Sequence, residues 1–419
     1  MNGREKILNA LNHQEGPVPM DFGGGPTTGI HCSVVESLRK YYGLENRPVT
    51  IIEPFQMLGL IEEDLLDAMG VDTIPFWNPY TMFGYKNDGW KEWNTPWGQA
   101  VLVGRNFTTT RNENGDVFIY PEGDLSVPPS GKMPRNGYFF DSIIRQEPID
   151  DENLDPKDNL EEFGEIDSEV IDDLRAAAGN VRDSGRAVFA NFGGTAIGDI
   201  ALVPGPQLKH PKGIRDVTEW YISTVTRQDY LRKVFDREVD IGLTNLDKIN
   251  RAVGDAVDIV YICGTDFGTQ TSTFCSTETY EELYAPYYKR INDWIHGNTS
   301  WKTFKHSCGA VAEFIPRFIE SGFDIINPVQ LSAAGMDGRV LKEKYGDKIT
   351  FWGGGVDTQK TLPFGTPEEV TREVTERCEL FASGGGFVFN TIHNVQAKTP
   401  VENVVAMIDA VKDFNRRRR

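Results

Sequence analysis

Residues 303–330 read TFKHSCGAVAEFIPRFIESGFDIINPVQ, and within that stretch a strand, a loop, a helix and a second strand follow one another. The apolar and β-branched run at 303–305 ends in a polar loop. Residues 310–321 then carry apolar side chains at helical spacing, and 325–328 returns to a short apolar run. A strand joined to the next through a helix implies parallel pairing and a right-handed crossover. Working outward, the same alternation predicts strands at 18–22, 73–76, 187–192, 259–263, 349–352 and 387–390, which makes eight in all. Helices are expected at 4–12, 32–42, 58–69, 278–296, 338–345, 367–382 and 400–415. Thr366-Pro367-Glu368-Glu369 has an N-cap, a proline at the first helical position and acids in the first turn, and Lys398-Thr399-Pro400-Val401-Glu402 repeats the arrangement. Eight such units fit a single α/β domain over 1–419, a (β/α)8 TIM barrel; the count also admits a doubly wound open sheet.

One stretch breaks the alternation. Residues 85–145 carry Trp90, Trp93 and Trp97, turn signals at Asn87-Asp88-Gly89 and 112–116, and a proline-rich run from Pro121 to Pro134. This is expected to be a β-rich hairpin insertion after the second strand, lying over the barrel mouth. The acidic segment 150–173 is expected to be a solvated loop and helix.

Composition narrows the class. With 39% hydrophobic and 25% charged residues among 419, the chain has an ordinary globular balance. Its net charge of −19 opposes phosphate-rich partners, so neither nucleic acid nor an anionic membrane surface is expected. The arginines at 416–419 read as a solvated tail. No apolar run approaches the ~20 residues that span a bilayer. The start, Met1-Asn2-Gly3-Arg4-Glu5-Lys6, lacks the apolar core of a signal peptide, and a cytoplasmic location is expected. Five scattered cysteines do not make a disulfide framework. Homo-oligomerisation is left open.

In a barrel, polar residues at the C-terminal ends of the strands share one pocket. Asn78, Asn191, Asp266, Asn327, Gln330, Asp357 and Asn390 all fall at such positions, as do His306, Cys308 and His393. The sharpest element is His306-Ser307-Cys308-Gly309. Two residues apart in an extended segment point the same way, so imidazole and thiolate can reach one ion, and the helix opening at Gly309-Ala310 favours an anionic sulfur. His393, at the end of the eighth strand, adds a second nitrogen, leaving a fourth tetrahedral position open as catalytic zinc sites require. Other uses compete: His393 donating to a backbone carbonyl, and Cys308 as a small buried apolar residue. Asp266, in Gly264-Thr265-Asp266-Phe267-Gly268-Thr269-Gln270, suits a metal, a substrate amine or hydroxyl, or a turn cap. Gly353-Gly354-Gly355 and Gly384-Gly385-Gly386 are read as tight loop packing, and His31-Cys32 as a structural pair.

Several of these stretches together resemble the uroporphyrinogen decarboxylase superfamily, whose fold is a (β/α)8 barrel. They are Arg4-Glu5-Lys6-Ile7-Leu8-Asn9-Ala10-Leu11 with Val18-Pro19, Asp266-Phe267-Gly268-Thr269-Gln270, His306-Ser307-Cys308-Gly309, Asn327-Pro328-Val329-Gln330, Gly353 to Gln359, and Asn390-Thr391-Ile392-His393-Asn394 with Lys398-Thr399-Pro400. The resemblance implies an arginine-rich loop after the first strand in true decarboxylases, where this chain has Met20-Asp21-Phe22-Gly23-Gly24-Gly25-Pro26, and an aspartate after the second strand, where it has Phe76-Trp77-Asn78. A porphyrinogen with its carboxylates would meet no basic clamp. The His-x-Cys element is similar to the zinc motif of corrinoid-dependent methyltransferases of the same superfamily, in which a cysteine of the eighth loop is commonly the third ligand; His393 stands there in this chain.

The expectation is a zinc-dependent methyltransferase that exchanges a methyl group between a small donor or acceptor (an ether, amine or thiol) and cobalamin carried by a separate corrinoid protein. Asp266 and His393 are the expected catalytic residues, His306, Cys308 and His393 the zinc ligands, and Asn78, Asn191, Gln270, Asn327, Gln330 and Asn390 the substrate contacts. A porphyrinogen-type decarboxylase, or a non-catalytic protein that binds a corrinoid or tetrapyrrole, are the alternatives.

Overall fold

A computed structural model describes residues 1–192 and 197–418. Its centre is a curled sheet of seven parallel strands that neighbour one another in chain order: Thr73–Trp77, Ala187–Asn191, Ile259–Cys263, Lys302–His306, Ile325–Asn327, Thr350–Trp352 and Phe387–Val388. The register places Asn191 beside Trp77 and His306 beside Asn327. Alternate residues face inward. From these strands Ala187, Phe189, Ile259, Phe304, Ile325, Trp352 and Val388 form one apolar cluster, completed by Ile7, Ala10 and Leu11 of the helix Gly3–Leu11. That helix is started by a capping box between Asn2 and Glu5. Lys6 Nζ lies 2.8 Å from an Asp72 oxygen, tying the helix to the start of the strand Thr73–Trp77.

The strand expected at 18–22 is present as a single parallel bridge, Met20 to Phe389. Phe389 N–H donates to Pro19 O (2.8 Å), Asp21 N–H to Phe389 O (2.9 Å) and Asp72 N–H to Met20 O (2.8 Å), so this segment bonds toward both edges of the seven-stranded sheet. Pro19 has no N–H to give, and Gly23–Gly25 turn the chain away directly afterwards, which keeps the ladder short. The buried Asp21 carboxyl is fixed there by Trp352 Nε1 (2.9 Å) and Thr73 Oγ1 (2.5 Å). The whole is a mixed α/β, TIM-like architecture.

Residues 91–142 hold six short strands. Lys91–Asn94 and Ala100–Val103 pair as a hairpin whose second strand also lies parallel to Val49–Glu53, a strand that the sequence reading had not separated from its surroundings. Thr109–Arg111, Val117–Ile119, Gly131–Met133 and Asp141–Ser142 make a second antiparallel sheet.

Several helices differ from expectation. The one expected at 58–69 begins at Glu63, because Leu58–Gly59 pairs with Val49–Glu53 instead. The one expected at 278–296 is two, Thr277–Leu283 and Ala285–Asn298, with Pro286 opening the second. The one expected at 310–321 shortens to Ile315–Glu320, since Gly309 at φ 87° and Pro316 confine the start. Pro400 precedes Val401–Arg417 without a side-chain cap; Thr399 Oγ1 donates back to Gln396 O instead. Three helices went unread: Val217–Thr226, the long Gln228–Val253 and the short Thr361–Phe364.

Candidate active site

A cavity of about 370 Å³ opens at the C-terminal ends of the strands. Its polar lining includes Asn191, Asp199, Tyr261, Asp266, His306, His393, Gln56 and Gln396, and its apolar side is Phe55, Met82, Phe139, Ile200, Ala201 and Leu202.

His306 ends its strand with the ring buried. Its Nδ1 lies 2.6 Å from Asn327 Oδ1. The orientation of that amide is set by its other partners: the carbonyl of Trp352 can only accept, so it takes Asn327 Nδ2–H (2.9 Å), while Thr27 Oγ1 donates to Oδ1 (3.1 Å). His306 therefore carries its proton on Nδ1 and turns the lone pair of Nε2 outward. That lone pair meets Cys308 Sγ at 3.3 Å. The His393 ring stands edge-on to His306 with centroids 5.5 Å apart. One ligand atom from each of His306, Cys308 and His393 lies within 4.8 Å of the other two.

The donor set fits a zinc ion. Burial pushes both histidines down to about 4, so at neutral pH both are neutral, the form in which an imidazole can bind a metal. Burial, reinforced by Asp266, pushes the Cys308 thiol well above its usual range, with Lys305 opposing; a bound cation reverses that by favouring the thiolate. Asn327 supplies the outer support that a ligating imidazole needs.

Asp266 Oδ1 accepts from Cys308 N–H (2.7 Å), so the carboxyl orders the loop bearing the thiol; burial raises its proton affinity, against Cys308 N–H, Lys305 and His393. Gln330 Oε1 accepts from Gly309 N–H (2.9 Å), holding the same turn. Asn390 donates to Asp21 O (2.7 Å) beneath the site. Asn191 lines the cavity. Asn78, Gln270, Asn327, Gln330 and Asn390, all expected as substrate contacts, are not among the lining residues. The amide of Asn78 donates to Phe192 O and its oxygen accepts from Tyr80 N–H, while Gln270 reaches Gln359 at 3.3 Å. His31 caps the helix Cys32–Tyr41 through Ser33 N–H and meets Tyr138 O at 2.9 Å, with Cys32 fully buried behind it.

Two groups near the site escaped sequence reading. Lys305, fully buried, sends Nζ to Thr265 O and His306 O (both 2.7 Å) and to Cys263 Sγ (3.2 Å), over the Phe267 ring. It pins together the ends of the two strands whose loops carry Asp266 and Cys308. Asp199 accepts from Gly264 N–H (2.7 Å) and Ala201 N–H (3.0 Å), in a stretch with no periodicity to flag it. For Lys305 the signal was present, as a lysine inside an apolar strand run.

Comparison with known proteins agrees with this architecture. Residues 212–414 match the family model for uroporphyrinogen decarboxylase (URO-D). Uroporphyrinogen decarboxylase of Pseudoalteromonas translucida is 34% identical over 74 residues, 18% of this chain and 20% of the relative. That of Coxiella burnetii is 27% identical over the same length and shares, and that of Anaeromyxobacter dehalogenans is 29% identical over 145 residues, 33% of this chain and 37% of the relative. The chain thus spans between a fifth and somewhat over a third of the length of these curated relatives. A methyltransferase from Methanosarcina mazei superposes with a TM-score of 0.53 over 99% of both chains at 12% identity, a likeness of fold. The family likeness thus lies in residues 212–414, just under half of the chain, and the likeness of fold extends over its whole length.

Proposed function

We propose that this protein is a zinc-dependent methyltransferase of the superfamily's methyltransferase-like branch, moving a methyl group between a small substrate and cobalamin held by a partner corrinoid protein. The observation that carries this reading is that His306, Cys308 and His393 bring ligand atoms within 4.8 Å of each other, with both histidines on the cavity wall. Bound there, zinc supplies Lewis acidity toward the heteroatom that carries the methyl group.

The chain's own residues do the rest. Asn327 holds His306 in the ligating tautomer, and Asp266 and Gln330 fix the turn that presents Cys308. The apolar wall of Phe55, Met82, Phe139, Ile200 and Leu202 excludes water from the reacting methyl group, and Asn191 and His393 offer hydrogen bonds to the substrate. In this reading the seven parallel strands and the Pro19–Asp21 segment form a closed eight-membered barrel, and the strands of 85–145, with Phe139 on the cavity wall, are its cover. The protein works without nucleic acid; no helix among the described residues is long and apolar enough to cross a membrane.

Decarboxylation of a porphyrinogen is the second reading, favoured by the names of the relatives that match. Against it, none of the described cavity-lining residues is a lysine or arginine. The deciding experiment is metal analysis of protein purified without added metal, followed by a methyl-transfer assay with reduced free cobalamin and a panel of methyl ethers, amines and thiols. One zinc per chain and appearance of methylcobalamin support the proposal; a metal-free protein with no transfer overturns it.

A further inference from the structure

Behind the wall of the main cavity lies a second, partly open one of about 20 Å³, lined by Glu162, Trp220, Val234 and Glu238 and bounded, as the main cavity is, by Asp199 and Leu202. A space of that size admits one water molecule. Glu238 stands in the apolar stripe of the helix Gln228–Val253, is 2% exposed, and its Oε1 has no hydrogen-bond partner among the described residues. A carboxyl so placed does not hold a charge without a donor, so it keeps its proton. Burial raises its proton affinity first, and Glu162, Cys263 and Asp199 add to that.

Asp199 is the wall between the two spaces. Its carboxyl is anchored by the Gly264 and Ala201 amides, and a Cβ on Gly264 would sit 2.8 Å from its Oδ2 and 2.6 Å from the Tyr261 hydroxyl, so both oxygens crowd one point beside the cavity. Burial raises its proton affinity, the two amides and Lys305 oppose, and Asp266 reinforces.

The geometry points to a proton-delivery pair: Asp199 hands a proton to the heteroatom that loses its methyl group, and Glu238 restores it through the water-sized cavity between them. This rests on the methyl-transfer reading. In the demethylating direction the bond between heteroatom and methyl carbon breaks, and its electron pair stays on the heteroatom. The methyl group passes to the reduced corrinoid, which supplies the pair for the new bond to carbon. The departing heteroatom takes the Asp199 proton, leaving a carboxylate that Glu238 reprotonates, and Glu238 in turn regains its proton from solvent water entering through the small space. An ether needs that proton, because an alkoxide or phenoxide leaves poorly. A quaternary ammonium does not, because it departs as a neutral amine.

Infrared spectra of the full zinc-loaded chain at neutral pH test the pair directly. The wild type is expected to show protonated-carboxyl C=O absorption that shifts in D₂O, one component of which disappears in Glu238→Gln and another in Asp199→Asn. Absence of the band, or a band that neither variant alters, overturns the inference. In methyl transfer from 2-methoxyphenol to reduced cobalamin, Asp199→Asn is expected to lose on the order of 100-fold or more with zinc content unchanged. Transfer from tetramethylammonium, where present, is expected to be spared; an equal loss with both donors marks a structural role and overturns it. If the wild type transfers no methyl group at all, the functional reading falls, and the infrared result still decides whether the two carboxyls are both protonated.

Discussion

Asn327 shows how one residue can decide the chemistry of another. Its amide is held by a carbonyl that only accepts, and His306 is left with one tautomer and an outward lone pair aimed at Cys308. Replacing Cys308 by serine is expected to lower bound zinc to well under half and abolish methyl transfer with little change in melting temperature, read by metal analysis and thermal unfolding. Retention of full activity would sink the zinc mechanism. Asn327→Ala is expected to weaken zinc by about 10- to 100-fold, the usual cost of losing a ligand's outer support, measured by chelator competition. Glu53 offers a test by pH. It is buried at the end of Val49–Glu53, its carboxylate accepts from Phe55 and Gln56 N–H (both 2.8 Å), and burial raises it to about 7. Its folded value lies above its ordinary value of 4.5, so it adds no penalty below about 4.5. Stability is lost as pH rises through 7, where the native state must ionise a buried group. Relative to Glu53→Gln, the wild type is expected to lose roughly 3 kcal/mol of stability between pH 4.5 and 8, seen by denaturant unfolding at each pH. A difference that does not vary with pH would show that Glu53 is not buried as described. The metal-ligand candidates were legible in the sequence because His306-Ser307-Cys308 is local and period-two. Asp199 and Lys305 were not, because their meaning comes from partners elsewhere in the chain: Gly264 for the one, Cys263 and Thr265 for the other.

At the scale of elements, the helix Pro367–Phe381 was read from its start signal, and the structure has the full capping box between Thr366 and Glu369. Thr366→Ala is expected to cost about 1 kcal/mol, measured by urea unfolding, with no effect on zinc content. No cost would mean that the cap is replaced by water. The second such signal, at Thr399-Pro400, begins a helix without a cap, because Thr399 turns to Gln396 instead. The long helix Gln228–Val253 carries Leu231, Val234, Phe235, Leu246 and Ile249 at helical spacing, a signal that lies in the sequence itself. Helices broken at Tyr284 and after Gly309 were read as longer than they are, since apolar periodicity runs on through a kink while hydrogen bonding does not.

Across the whole molecule, the parallel strands bring side chains from residues 199, 266, 306 and 393 to one cavity whose described lining carries no lysine or arginine. Uroporphyrinogen is therefore expected not to be a substrate, because its carboxylates would enter without a counter-charge; coproporphyrinogen formation at ordinary enzyme rates would contradict this. The alternation of strand and helix, the parallel sheet that follows from it, and the His-x-Cys pair are legible in the order of residues, because each is a short-range pattern of side-chain spacing. That His393 comes within reach of that pair, that the 18–22 segment reduces to one bridge, and that Asp199 and Glu238 flank one small space emerge with the folded chain. Those are contacts between residues far apart in the chain, fixed by the curl of the sheet and by which backbone groups are left to bond, and no local pattern encodes them.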